Sequence, residues 1–208
     1  MPNTRTLTRR AALTVTALTA ALMLTACGNG NDSAGSGEPS ASSSASADAT
    51  TGAHNAQDVS FAQGMIPHHQ QALEMAKLAA DRASSAKVKD LASRIEKAQD
   101  PEIRSMNGWL KSWGEEMSSS MSGMDGSAQS GMPGMMDSAD MGMLKKASGT
   151  DFDTMFLTMM IKHHRGAVDM ATAEKNKGKY GAATAMADGI ITAQTGEITE
   201  MNKLLGKN

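Results

Sequence analysis

Cysteine occurs once in these 208 residues, aromatic side chains make up 3% of them, and no segment carries the alternating pattern of a strand. The lone thiol, Cys27, leaves no intramolecular disulfide, no thiolate metal cage built by this chain alone, and no thiol nucleophile in a folded part. Basic residues are not clustered, and the 20 Lys and Arg face 22 Asp and Glu. Without a basic patch or stacking aromatics, nucleic acid is not an expected partner. The residues in excess are methionine, 19 of them, and four of the five histidines stand in two adjacent pairs.

Those pairs belong to a repeat. Phe61, Met65, His68, His69, Ala72, Glu74, Met75 and Ala76 recur 95 residues on as Phe156, Met160, His163, His164, Ala167, Asp169, Met170 and Ala171. At the same offset Ile95, Ala98, Gln99, Glu102, Ile103, Met106, Asn107 and Leu110 lie over Ile190, Ala193, Gln194, Glu197, Ile198, Met201, Asn202 and Leu205. The repeated unit is therefore a pair of segments, and a repeat of this kind sets the architecture.

The chain before the repeat reads as delivery. Arg5, Arg9 and Arg10 precede an apolar run from Ala11 to Ala26, the layout of a signal peptide over 1–26. The run is too short and threonine-rich for a transmembrane helix. Leu24-Thr25-Ala26-Cys27 looks like a lipoprotein cleavage box, with Cys27 as the lipidation site and the cell membrane's extracytoplasmic face as the destination. Thr8-Arg9-Arg10 resembles a twin-arginine signal less closely, so the export route stays open. Residues 27–57, mostly Gly, Ser, Ala, Thr, Asn and Asp, cannot bury a core and read as a lipidated flexible tether, with His54 solvated in it. Without 1–26 the chain has 17 Lys and Arg against 22 acids.

The remaining 58–208 suffices for one domain. Positions 61, 65, 68, 72, 75 and 79 make a helical seam, with Asp58 as its N-cap and the helix ending near Ala83. Pro67 should kink it. A second helix is expected from Ala86 to Met117, bent at Pro101, a third from Asp151 to Lys177 and a fourth from Tyr180 to Leu205. Repeat one thus spans 58–117 and repeat two 151–208. Two such hairpins predict an all-α, ferritin-like four-helix bundle with pseudo-two-fold symmetry. Between them lies a Met-rich linker, 117–143, holding eight methionines: Met117, Met121, Met124, Met132, Met135, Met136, Met141 and Met143. A connection this long is functional or disordered.

Neighbouring helical residues point about 100° apart, so His68 falls on the seam and His69 at its flank, as do His163 and His164. Met65, Met75, Met160 and Met170 accompany them. A seam histidine can be an ordinary core residue and a seam methionine a filler, but the duplicated set points to metal. Imidazole and thioether together suit copper, Cu(I) before Cu(II). Neutral imidazole ligands would compete with protons near pH 6.5. Gln99, Glu102, Gln194 and Glu197 can support the histidines from behind or ligate directly. The linker methionines offer auxiliary copper sites, or simply a loop. A di-metal oxidase would want Glu-x-x-His, which is absent although Glu74 and Asp169 are available.

At these residues the sequence resembles a bacterial family of exported ferritin-like four-helix proteins catalogued as a domain of unknown function. Its pattern is F-x-x-x-M-[IM]-x-H-H-x-x-A-[IV]-x-M-A. Leu73, Pro101 and Gly196 depart from the family's habits. Some members are envelope copper-binding proteins associated with copper tolerance. The resemblance implies the four-helix fold and a copper role without supplying a reaction. With the cleavage box at Cys27, the expectation is a lipid-anchored copper protein, not an enzyme, that sequesters copper or exchanges it with a donor or acceptor protein. The rival readings are a ferritin-like di-metal oxidase and a metal-free interaction module.

Overall fold

A computed structural model describes residues 52–116 and 132–207. The signal region 1–26, Cys27, the tether up to residue 51, and Met117, Met121 and Met124 lie outside the described residues. The rest is all-α: α1 (Ala56–Arg82), α2 (Ala86–Trp113), α3 (Ser138–Lys146), α4 (Gly149–Lys177) and α5 (Gly181–Leu204). No described helix is long and apolar enough to cross a membrane. α1 packs chiefly on α2 and α4 on α5, and the two hairpins meet mainly through α1 and α4. The helices of the repeat are as expected. The fifth, α3, is not, because it is built from the second half of the presumed linker.

Local chemistry sets the ends. α1 starts at Asn55, whose side chain accepts from the N–H groups of Gln57 and Asp58, while Asp58 accepts from Asn55 N at 2.6 Å. Asp58 is therefore the fourth member of a capping box rather than the N-cap. The tether accordingly ends earlier than residue 57. Even His54 is engaged, stacked on Trp113 with ring centroids 4.4 Å apart. α2 stops at Trp113, short of Met117, because Gly114 takes a left-handed φ of 73° and turns its N–H back to Leu110 and Lys111. Pro67 and Pro101 each remove one helix hydrogen bond, yet α1 and α2 run through them uninterrupted. Buried seam residues on both sides of each proline hold the turns in place.

Two aspartates lock the hairpins together. Asp58 is fully buried and also accepts from the N–H groups of Lys179 and Tyr180, at the α4–α5 turn. Asp153, 95 residues later, receives the N–H groups of Ser84 and Ser85 and the Ser84 hydroxyl, at the α1–α2 turn. Each hairpin thus ties off the turn of the other. Burial of Glu174, followed by its contact with Asp58, raises its pKa to about 8. As two carboxylates the pair would share no hydrogen bond and leave the Glu174 oxygens without a partner. A proton on Glu174 lets it donate to Asp58.

The core falls into two clusters. Ala72, Met75, Leu91, Ile95, Leu144, Phe152, Phe156, Met160 and Met201 form one. Phe61, Met65, Ile66, Ile103, Met106, Leu110, Ala167, Ala183 and Ile190 form the other. On every long helix the residues between the clusters are polar: His68 and His69, Gln99 and Glu102, His163 and His164, Gln194 and Glu197. A polar layer crosses the middle of the bundle.

Candidate metal centre

All four histidines of the layer are fully buried. The rings of His68 and His163 face each other across the α1–α4 contact, centroids 3.7 Å apart and tilted by 37°. The other two point outward to the flanking helices. His69 Nε2 meets Glu102 Oε2 at 2.7 Å, and His164 Nε2 meets Glu197 Oε2 at 2.6 Å. A carboxylate only accepts, so Nε2 carries the proton in both and Nδ1 keeps its lone pair. His68 Nε2 lies 3.1 Å from the Pro133 carbonyl oxygen, which fixes the same tautomer. The Nδ1 atoms of His68, His69 and His164, and both ring nitrogens of His163, have no hydrogen-bond partner.

Buried nitrogens without partners are costly, at roughly 1–3 kcal/mol each, and rarely accumulate in one layer without a ligand to satisfy them. A carboxylate behind the distal N–H is how metal-binding imidazoles are commonly oriented. The two facing rings, His68 and His163, are kept neutral. Burial first, then the neighbouring His69, pushes the pKa of His68 down to about 3. His163 is held well below the usual range by burial and then by His68. The expected proton competition near pH 6.5 is therefore displaced to lower pH for these two rings.

The segment 132–136 straps the layer. Gln71 donates to Met136 O and accepts from Met136 N, both at 2.8 Å. Gly134 has a φ of 80°, and a Cβ there would lie 2.7 Å from Lys162 O. A Cβ on Gly166 would lie 1.9 Å from Pro133 O, so only glycine admits the strap at this point of α4. Gln71 and Gly166 occupy the same position in the two repeats. The repeat is broken where the strap crosses it.

A family model for a domain of unknown function, DUF305, matches residues 58–205, most of the chain. The chain belongs to the DUF305 family. It is similar to a DUF305 protein of Streptomyces coelicolor described as secreted, at 35% identity, covering 72% of this chain and 91% of that one, with a TM-score of 0.64. It is also similar to a DUF305 fragment from Deinococcus radiodurans, with 30% identity, coverage of 73% and 97%, and a TM-score of 0.65. CopM in its Cu(II)-bound form shares 34% identity, with 71% of this chain and 94% of CopM covered and a TM-score of 0.61. CopM has also been solved with Cu(I), with Ag and in the apo form. No curated protein matches the chain.

Within this DUF305 fold the methionines divide. Met65 packs in one cluster with Met170 at its edge, and Met75 and Met160 pack in the other. The four thus lie to both sides of the histidine layer rather than around one point. Gln99 and Gln194 are buried in the layer with their Oε1 atoms unpartnered. Among the described residues no three His, Cys, Asp or Glu side chains converge on one point. A closed site needs thioether or amide donors besides imidazole. Of the linker methionines, Met135, Met136 and Met141 are buried and Met132 partly so, so this part of the linker packs against the bundle. Thioethers are apolar enough to pack as core. Sequence reasoning missed Gln71, Gly166 and Asp153. Asp153 had a signal, since the repeat extended three residues before Phe61 pairs it with Asp58.

Proposed function

We propose that this protein holds copper, Cu(I) before Cu(II), in the layer of His68, His69, His163 and His164, for sequestration or handover outside the cytoplasm. The observation that carries this reading is the set of buried imidazole nitrogens without hydrogen-bond partners, two of the rings being backed by Glu102 and Glu197. Met65, Met75, Met160 and Met170 are the soft donors repeated beside both histidine pairs, and Gln99 and Gln194 the amide ones. Similarity to CopM, solved with Cu(I), Cu(II) and Ag bound, supports the same metal. Anaerobic titration with Cu(I), followed by X-ray absorption, should show nitrogen in the first coordination shell together with sulfur. A shell of sulfur alone would move the site out of the layer, and no binding would end the reading.

The protein is read as a binder and not an oxidase. Glu102 and Glu197 each accept from a histidine Nε2–H through Oε2, which favours them as supports behind the imidazoles over bridging ligands. Exchange with a copper donor or acceptor protein follows from the same reading. The 95-residue matches at Asp58/Asp153 and at His69–Glu102/His164–Glu197 support a ferritin-like pseudo-two-fold bundle. Superposing residues 56–109 on 151–204 tests it, and a poor fit would reject it.

Delivery to the membrane surface rests on Cys27 and the box before it. Cys27→Ala should abolish lipid labelling and move the protein from the membrane to the soluble fraction. Retention of Cys27→Ala on membranes would mean that another segment anchors the chain.

A further inference from the structure

The histidine layer is sealed, so metal must first meet the protein elsewhere. An open groove of about 730 Å³ between α3 and α4 is lined by Met143, Met155 and Met159, with one acid, Asp151, and one base, Lys146, among its other walls. Met143 is 50% exposed, the one large apolar side chain so open among the described residues. Met155 and Met159 are half-buried, and His163 is fully buried. On α4 these residues stand at 155, 159 and 163, and side chains four apart on a helix are neighbours. Thioethers therefore step from solvent to the one histidine with both ring nitrogens unpartnered. α1 has no such path, since Ser60 and Gly64 occupy the matching positions.

Ordinary groove lining would be Leu, Ile or Val. Here every large apolar wall residue is methionine. Neutral thioethers favour soft cations such as Cu(I) and discriminate against Mg²⁺ and Ca²⁺, which prefer oxygen. They also bind without releasing a proton. We propose that Met143, Met155 and Met159 form a second, solvent-facing site for a soft monovalent cation, Cu(I) or Ag(I), which loads His163 along α4. This rests on the copper reading of the histidine layer.

The test uses the full chain and Ag(I). With ¹³C-methyl methionine labelling, the first Ag(I) added to the wild type should shift the methyl signals of Met143, Met155 and Met159. Met143→Leu/Met155→Leu/Met159→Leu, a nearly volume-conserving change, should bind one Ag(I) fewer and fill the histidine layer about tenfold more slowly, with unchanged final affinity there. His68→Ala/His163→Ala should keep the groove ion. If the wild type binds no Ag(I), the copper reading and the groove both fall. If the wild type binds at the histidines but the three methyls do not move, or the triple variant matches it in count and rate, the groove alone falls. Should the triple variant not fold, the wild-type methyl shifts decide.

Discussion

With His68 and His163 both replaced by alanine, Cu(I) no longer raises the protein's thermal midpoint. A ligand bound only to the folded state stabilises it by about 2.7 kcal/mol at a hundredfold excess over the dissociation constant. For a domain of this size that is a rise of roughly 5–10 °C. The two rings face each other at 3.7 Å and own three of the unpartnered nitrogens, so removing both takes the centre out of the layer. Metal-free stability moves less, because two effects oppose each other. Emptying a packed core costs a few kcal/mol, while deleting buried unsatisfied nitrogens returns roughly 1–3 kcal/mol for each. The reading is thus the difference with and without metal. A double variant that keeps the full shift would place the primary site elsewhere.

The same two rings give the metal-free protein an acid limit. Below about pH 6.5 histidine in the unfolded chain takes up a proton, whereas His68 in the fold stays neutral down to about 3. The unfolded state then binds more protons, so stability falls as pH falls between those values. His163, also shifted down, adds to the slope. The double variant should flatten it. Copper, needing neutral imidazole, should resist acid further than an unperturbed histidine site would.

What could be read from the sequence follows from what a repeat encodes. The 95-residue offset fixes which residues share a position, and helical periodicity fixes which share a face, so the histidine layer and its Gln and Glu supports were visible. Periodicity does not say which cluster a seam residue joins once two helices pack. Met65 therefore parted from Met75, although both lie on one seam. α3 was hidden because its composition matches the flanking Gly-, Ser- and Asp-rich segment. The strap was hidden for a different reason. His68–Pro133 and Gln71–Met136 each join residues 65 apart, and neither leaves a local pattern. Its only trace was Gln71 against Gly166, one mismatch among several in the repeat and so not a signal by itself.

That mismatch carries the second large effect. Gly→Ala inside an exposed helix normally stabilises by roughly 0.5–1 kcal/mol, since alanine has the better propensity. Gly196→Ala on α5, where nothing lies within 4 Å of a new Cβ, should show this gain. Gly166→Ala should show the reverse. Its Cβ would meet Pro133 O at 1.9 Å, Pro133 C at 2.4 Å and Gly134 N at 2.8 Å, all backbone atoms that no rotamer change can move. The strap must lift, which breaks the His68 Nε2–Pro133 O bond and strains the Gln71–Met136 pair. Overpacking of this kind costs roughly 1–3 kcal/mol. Opening the layer should also speed copper exchange, so loss of Cu(I) to a chelator in Gly166→Ala should be at least about tenfold faster, a barrier change of about 1.4 kcal/mol. Denaturant midpoints and chelator-capture rates of the two variants, measured side by side, check both effects. If Gly166→Ala is as stable as Gly196→Ala and releases copper no faster than wild type, the strap does not seal the histidine layer.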